Sequence, residues 1–198
     1  MRIFISGPSG VGKSSIISEL LKRNKSLILS VSYTTRPKRA SEVDGKDYFF
    51  ISRQAFEDMK EGGVFLEWAI VHDHFYGTSL PWVKAQENQG YSVLFDIDVQ
   101  GVVNIQKKEG IGCFIFIVPP NLEELSRRLQ RRGTETSEDF ALRLGNASTE
   151  LRCWRNYDYL VVNDILEVAI NEVESIIHAY RCSRDEAIKG LKWLAEIG

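Results

Sequence analysis

The chain has 198 residues, 43% of them hydrophobic and 26% charged, with a formal net charge of −2. That length suits one domain, or a core carrying small inserted subdomains; the near-neutral charge argues against a nucleic-acid binder with a broad basic face, and no apolar run approaches a membrane span. Cys113, Cys153 and Cys182 are odd in number and far apart with no C-x-x-C pair, which fits reduced thiols in a cytoplasmic protein better than a disulfide or zinc framework.

Arg2 to Ser6 is a short apolar run, a strand that starts almost at once and so predicts no signal peptide. It feeds into Gly7-Pro8-Ser9-Gly10-Val11-Gly12-Lys13-Ser14, which fits G-x-x-x-x-G-K-S/T, and Ile16, Ile17, Leu20 and Leu21 then recur at helical spacing. Strand, tight turn and helix together give the motif its meaning. Backbone N–H groups converge on an anion only where the chain bends sharply, and the glycines permit that bend. The unpaired N–H groups of the next helix add the positive end of its dipole. Lys13 supplies a full charge, and the Ser14 hydroxyl is a ligand for Mg²⁺ shared with the β- and γ-phosphates of a nucleotide.

Leu27 to Val31 reads as a second strand. From Tyr33 the chain turns polar, with Arg36, Lys38 and Arg39 close together, until Tyr48-Phe49-Phe50-Ile51 restores a strand. Ser52 is placed to cap a helix running to about Glu61, with Phe56 and Met59 inward. Phe65 to Val71 and Phe75-Tyr76 read as two strands around His72-Asp73-His74, where the histidine pair invites a metal reading but, with no third ligand in evidence, reads as a surface strand-turn pair. Residues 33 to about 79 thus form a small mixed insertion.

Pro81 stands near the start of the next helix. Val93-Leu94-Phe95, ending in Asp96-Ile97-Asp98, suits a strand buried on both faces of a parallel sheet, with a helix over Gly101 to Lys108 after it. Cys113 to Val118 is another such strand. Asn121 and Glu124 resemble a capping box for a helix with Leu122, Leu125 and Leu129 inside. The basic run Arg127-Arg128, Arg131-Arg132 ends at Gly133, and Phe140, Leu144, Ala147, Leu151 and Trp154 mark a second helix from about Ser137. Two helices across a polar turn, bearing arginines, make a lid. Tyr159 to Val162 is the last strand, Asp164 opens a helix with Ile165, Ala169, Val173, Ile176, Ile177 and Tyr180 inward, and Ser183 to Ile197 is expected as one more helix.

Strands alternating with helices predict an α/β sandwich, a phosphate-loop fold of three layers around a mainly parallel sheet. Ligands in such sheets sit beyond the carboxyl ends of the strands, where Gly7, Ser32, Asp96 and Asp98 fall. Asp96 is placed to hold Mg²⁺ or its water, although two carboxylates after a strand also suit the cap of the following helix. The basic clusters could be solvated, yet phosphoryl transfer needs cations around the moving group.

Taken together, these segments resemble the guanylate kinase family. The likeness runs through Gly7 to Ser14, Ser32-Tyr33-Thr34-Thr35-Arg36 with Arg39, Tyr48-Phe49-Phe50, Phe65-Leu66-Glu67, Tyr76-Gly77-Thr78-Ser79, Asp96 to Gly101, and Tyr157-Asp158-Tyr159 followed by Val162-Asn163-Asp164. The loop after Arg36 departs from the pattern, with Lys38 before Arg39 where the family more often has proline, and Ala40-Ser41 after it where the family has Pro-Gly. The resemblance implies transfer of the γ-phosphoryl group of Mg·ATP to GMP. It implies that Gly7 to Ser14 and Asn163 serve ATP, that Arg36, Arg39, Tyr48 and Tyr76 hold the phosphate of GMP, and that Glu67, Ser32, Thr78 and Asp98 serve its guanine. Lys13, Arg36, Arg132 and Arg143 would assist the transfer, and Ser14 and Asp96 would face the metal. The implied division is a core of about 1–32, 80–125 and 157–198, a GMP-binding insertion of about 33–79 and a lid of about 126–156. Two other readings stay open: an interaction module of this likeness that has lost catalysis, and a phosphate-loop kinase for another small acceptor.

Overall fold

The computed structural model describes residues 1–71, 73–108, 110–131, 137–191, 193 and 197. In chain order the elements are β1 (Arg2–Ser6), α1 (Lys13–Arg23), β2 (Leu27–Leu29), β3 (Tyr33–Thr34), β4 (Phe49–Phe50), α2 (Arg53–Glu61), β5 (Phe65–Val71), β6 (His74–Ser79), α3 (Leu80–Asn88) and β7 (Ser92–Asp96). There follow α4 (Val99–Lys108), β8 (Cys113–Val118), α5 (Leu122–Arg131), α6 (Ser137–Leu151), a 3-10 turn (Arg152–Asn156), β9 (Tyr159–Val162), α7 (Leu166–Arg181) and α8 (Arg184–Ala187), with a last 3-10 turn at Ile188–Gly190.

Five strands form a wholly parallel sheet in the order β2-β7-β1-β8-β9. Because side chains alternate across a strand, β1 splits its load. Ile3 and Ile5 face one layer with Ile16, Ile17 and Leu20 of α1 and Ala169, Ile170 and Val173 of α7. Phe4 faces the other, with Val83 of α3 and Val102 and Ile105 of α4. Its ring stacks on Phe95 at 4.5 Å and on Phe114 at 4.8 Å, so the three central strands are fastened on that side by aromatic contact. Each such fully buried side chain stabilises the fold by roughly 1.5–3 kcal/mol.

A second sheet, β4-β3-β6-β5, is built from residues within 33–79. It is mixed: β3 and β4 run parallel, while β6 is antiparallel to both β3 and β5. Phe56 of α2 stacks between Phe65 and Phe75 to form its core. Ser52 caps α2, its hydroxyl accepting the Ala55 N–H, as its position before the apolar pattern predicts. A third small core joins α5 to α6 through Leu125, Leu129 and Ala147.

Several expectations are corrected. Strand β2 stops at Leu29, since its pairing ends with Ser30 N donating to the Leu94 carbonyl and the chain then crosses to the second sheet, where Tyr33–Thr34 is a strand within the stretch read as loop. Leu122, Trp154 and Ile165 are exposed. Periodicity identifies a helix face but not how far its partner surface extends, and these three stand in or beside terminal turns. The capping box before α5 is half made: Asn121 accepts the Glu124 N–H, but the Glu124 carboxylate pairs with Arg127 and Arg128. Among the described residues from Ser183 there is one helical turn at Arg184–Ala187 and a 3-10 turn at Ile188–Gly190, with Leu191 in neither, so the expected single helix is interrupted there, consistent with the poor helix propensity of glycine. His72 lies outside the described residues.

Candidate functional site

The carboxyl ends of β1 and β7 open onto a cavity of about 510 Å³. Its walls include the loop from Gly7 to Ser14, then Ser30 and Ser32 after β2, Tyr48 before β4, Asp96 and Asp98 after β7, and Glu150 from α6. The parallel sheet therefore delivers the loop and both aspartates to one space, as the strand-end rule requires.

The loop is held from below. Gly12 has φ +100°, a conformation that costs glycine little, and the Asn163 amide lies where a side chain at this position would go. That amide is buried, 5% exposed, and donates to the Val11 carbonyl at 2.7 Å. Arg128 Nη1 donates to the Asn163 carbonyl at 2.8 Å, so α5 braces the loop after β9. The resemblance assigns Asn163 to ATP; its side chain stands against the backbone of the loop itself. Lys13 Nζ donates to the Gly7 carbonyl at 2.6 Å, which folds the lysine back over the turn.

From the other side α6 reaches Ser9: Arg143 Nη2 donates to Ser9 Oγ at 3.1 Å, and the Ser9 N–H donates to Glu150 Oε2 at 3.3 Å. Arg143 thus meets the loop, while Arg132 lies outside the described residues. Asp96 is open to the cavity but otherwise enclosed by protein, which pushes its carboxyl up against the opposing pull of Lys13. Asp98 accepts the Gly101 N–H at 2.7 Å and so also begins α4, making the cap reading and the site reading compatible.

The second sheet carries the other candidates in two groups. In the first, Arg36 lies over the Tyr48 ring at 5.5 Å, and Tyr48 meets Tyr76 edge-on at 5.8 Å. Glu42 ties this group together: Oε1 takes Arg36 Nη2 at 2.7 Å, and Oε2 takes the backbone N–H of Arg39 at 2.8 Å. The Arg39 side chain is exposed. In the second group Glu67, only 9% exposed, accepts the Thr78 hydroxyl at 2.8 Å. Burial pushes the Glu67 carboxyl up to about 7, with the Thr78 hydrogen bond lowering it and the Asp98 charge raising it.

The structure thus brings Lys13, Ser14, Ser32, Tyr48, Asp96 and Asp98 to one cavity, while Arg36, Arg39, Tyr76, Glu67 and Thr78 stand outside its lining. Glu67 also borders a separate cavity of about 550 Å³ beside Gln100 and Asn104. Its link to the first cavity runs through Asp98, whose charge acts on it, and through α4: a side chain at Gly101 would collide with Ile97 and come within 3.3 Å of Glu67 Oε2.

Three residues escaped the sequence reading. Glu42 looked like one more charge in a polar loop. Ser30, buried with no hydrogen-bond partner for its hydroxyl, lies inside an apolar run. Glu150 carried one available signal, its place seven residues and two turns after Arg143 on the same helix face.

The family model described as Guanylate kinase matches residues 1–180. The chain is 49% identical over 177 residues to the guanylate kinase of Thermotoga maritima, covering 89% of this chain and 86% of that one. To the guanylate kinase of Caldanaerobacter subterraneus subsp. tengcongensis it is 45% identical over 183 residues, covering 92% and 89%. Among solved structures, the crystal structure of guanylate kinase from Anaplasma phagocytophilum superposes with a TM-score of 0.75 at 30% identity, over 93% of this chain and 87% of that chain. TT1252 from Thermus thermophilus, at 15% identity and a TM-score of 0.52 over 92% of this chain and 98% of that one, is a likeness of fold alone.

Proposed function

The chain belongs to the guanylate kinase family, and from that premise we infer how its residues divide the work of moving the γ-phosphoryl group of ATP onto GMP, giving ADP and GDP in purine nucleotide metabolism. The observation that carries the assignment is the shared cavity, with the loop from Gly7 to Ser14 on one wall and Ser32, Tyr48 and Asp98 on another.

The loop, braced by Asn163, takes the phosphates of ATP through backbone N–H groups and Lys13. Arg36, Arg39, Tyr48 and Tyr76 take the phosphate of GMP: a guanidinium matches phosphate geometry, and tyrosine hydroxyls donate without adding charge. Glu67, ionised, accepts from N1–H and the 2-amino group of guanine, with Ser32 and Thr78 toward O6 and Asp98 beside the base. Adenine offers a bare N1 and a 6-amino donor, so it leaves buried groups unpaired, a mismatch that discriminates by ~10⁴ or more.

The acceptor oxygen is already anionic and needs no general base. Positioning and charge neutralisation remain, supplied by Lys13, Arg36, Arg143 and, from the segment outside the described residues, Arg132. The Ser14 hydroxyl and Asp96 carboxylate are hard oxygen donors bordering one cavity, a set that suits Mg²⁺ sharing the phosphates of ATP. Among the described residues no group of three or more His, Cys, Asp or Glu side chains forms a metal site by itself. Bound there, Mg²⁺ would neutralise phosphate charge.

In this reading residues 33–79 carry the acceptor, about 126–156 act as a lid, and the remainder is the core. The three free cysteines fit a reducing cytoplasm; among the described residues no helix is long and apolar enough to cross a membrane. A coupled assay with Mg·ATP and each of GMP, AMP, CMP and UMP tests the acceptor assignment. Turnover with GMP alone is expected; rapid turnover of AMP with none of GMP would overturn it.

A further inference from the structure

Glu150 and Arg143 end at a single residue of the phosphate-binding loop. Ser9 accepts from Arg143 through its hydroxyl and donates to Glu150 through its backbone N–H. The Glu150 carboxylate borders the same cavity as Lys13, Asp96 and Asp98. An anion-binding loop is therefore engaged by an anion of the chain itself, and a carboxylate oxygen makes the same demand on a backbone donor as a phosphate oxygen does.

The surroundings of Glu150 say which phosphate would meet it. Burial pushes its carboxyl up, the Ser9 N–H and Lys13 pull it down, and Asp98 pushes it up again. It therefore shares its cavity with both the donor lysine and the carboxylate beside the acceptor, and feels the charge of each. In-line transfer requires the γ-phosphoryl group between donor and acceptor. The phosphates that stay with ADP need not come there.

We propose that Glu150 is an internal competitor for the γ-phosphoryl position at Ser9, and so sets the preference of the donor site between ATP and ADP. This rests on the assignment of the ATP phosphates to residues 7–14. ATP displaces the carboxylate from Ser9 and meets its like charge in a partly desolvated cavity, whereas ADP leaves the contact in place. Arg143, held on the same serine, stays beside the incoming phosphate as a counter-charge.

The test is calorimetric titration of the full chain with Mg·ATP and with Mg·ADP, without GMP, for wild type, Glu150→Gln, Glu150→Ala and Lys13→Ala. Glutamine keeps an acceptor for the Ser9 N–H and removes the charge; alanine removes both. ATP affinity is expected to rise about tenfold in the glutamine variant and at least as much in the alanine variant, with ADP affinity changed less than about twofold. A rise confined to alanine assigns the competition to the hydrogen bond and still supports the proposal. An ATP-to-ADP preference unchanged or lowered in both variants overturns it. Lys13→Ala separates the two layers: if it weakens neither nucleotide, the donor assignment itself falls, and if it weakens both while the Glu150 variants leave the preference alone, only the role of Glu150 falls.

Discussion

Glu67 and Thr78 face each other across β5 and β6, and the Thr78 hydroxyl donates to Glu67 Oε1 at 2.8 Å. This hydrogen bond opposes the burial that pushes the Glu67 carboxyl up to about 7. A group poised there is half ionised near neutrality, and the guanine-binding role proposed for it needs it ionised, because N1–H and the 2-amino group are both donors.

GMP recognition is therefore expected to strengthen with rising pH. The kcat/KM for GMP, measured at saturating ATP from pH 5.5 to 8.5, should climb about tenfold per pH unit below pH 7 and level off above it. Glu67→Gln should lower kcat/KM for GMP and lose this limb, which distinguishes it from the second ionisation of the GMP phosphate at about 6. ATP affinity should be little changed in that variant.

The same carboxyl has a cost in stability. Its folded value lies above the unfolded 4.5, so the folded chain holds the proton more tightly; stability is fully present below about 4.5, falls as pH rises towards 7, and stays lower above that. Glu67→Gln escapes the loss and should gain on wild type by up to ~3 kcal/mol at pH 8, with little difference at pH 4.5. Urea unfolding at the two pH values measures this directly.

Glu42 should act on GMP and not on ATP. Its carboxylate joins the Arg36 side chain to the Arg39 backbone with both partners only 14% exposed at Arg36 and Glu42. Glu42→Ala is expected to raise KM for GMP about tenfold through loss of loop geometry, with kcat reduced less and KM for ATP unchanged. Glu42→Gln keeps an acceptor for the Arg39 N–H and should recover part of the loss; steady-state kinetics on both substrates decides.

Asn163→Ala removes the buried, shorter donor to the Val11 carbonyl and leaves that oxygen only the longer contact from Arg128 Nη1 at 3.5 Å. A cost of about 1–3 kcal/mol in stability is expected, together with weaker ATP binding and an unaltered KM for GMP. Thermal unfolding and nucleotide titration read the two effects separately.

The main sheet was legible because its strands announce themselves: Val93 to Phe95 and Cys113 to Val118 are continuous apolar runs, and in a sheet covered on both faces that is how a strand must read. The loop from Gly7 to Ser14 was legible for a similar reason, since its chemistry depends on backbone shape that only a fixed set of residues permits. Short strands were harder. Tyr33–Thr34 has two residues and owes its form to β4 and β6 on either side, not to any pattern of its own. Glu42 and Glu150 were illegible as site residues because an isolated carboxylate has the same appearance in sequence whether it faces water or a loop of N–H groups. Trp154 misled in the opposite direction, its helical spacing continuing past the point where α6 gives way to a 3-10 turn.

Gly101 has a wider effect than its size suggests. With only a hydrogen where other residues carry carbon, it lets the first turn of α4 lie directly on Ile97 and Glu67, while its own N–H is fastened to Asp98. Glu67 of the second sheet and Asp98 of the shared cavity are thereby surveyed from a common benchmark, two instruments bolted to the same post. Displacing that post by the width of a methyl group would misalign both readings together.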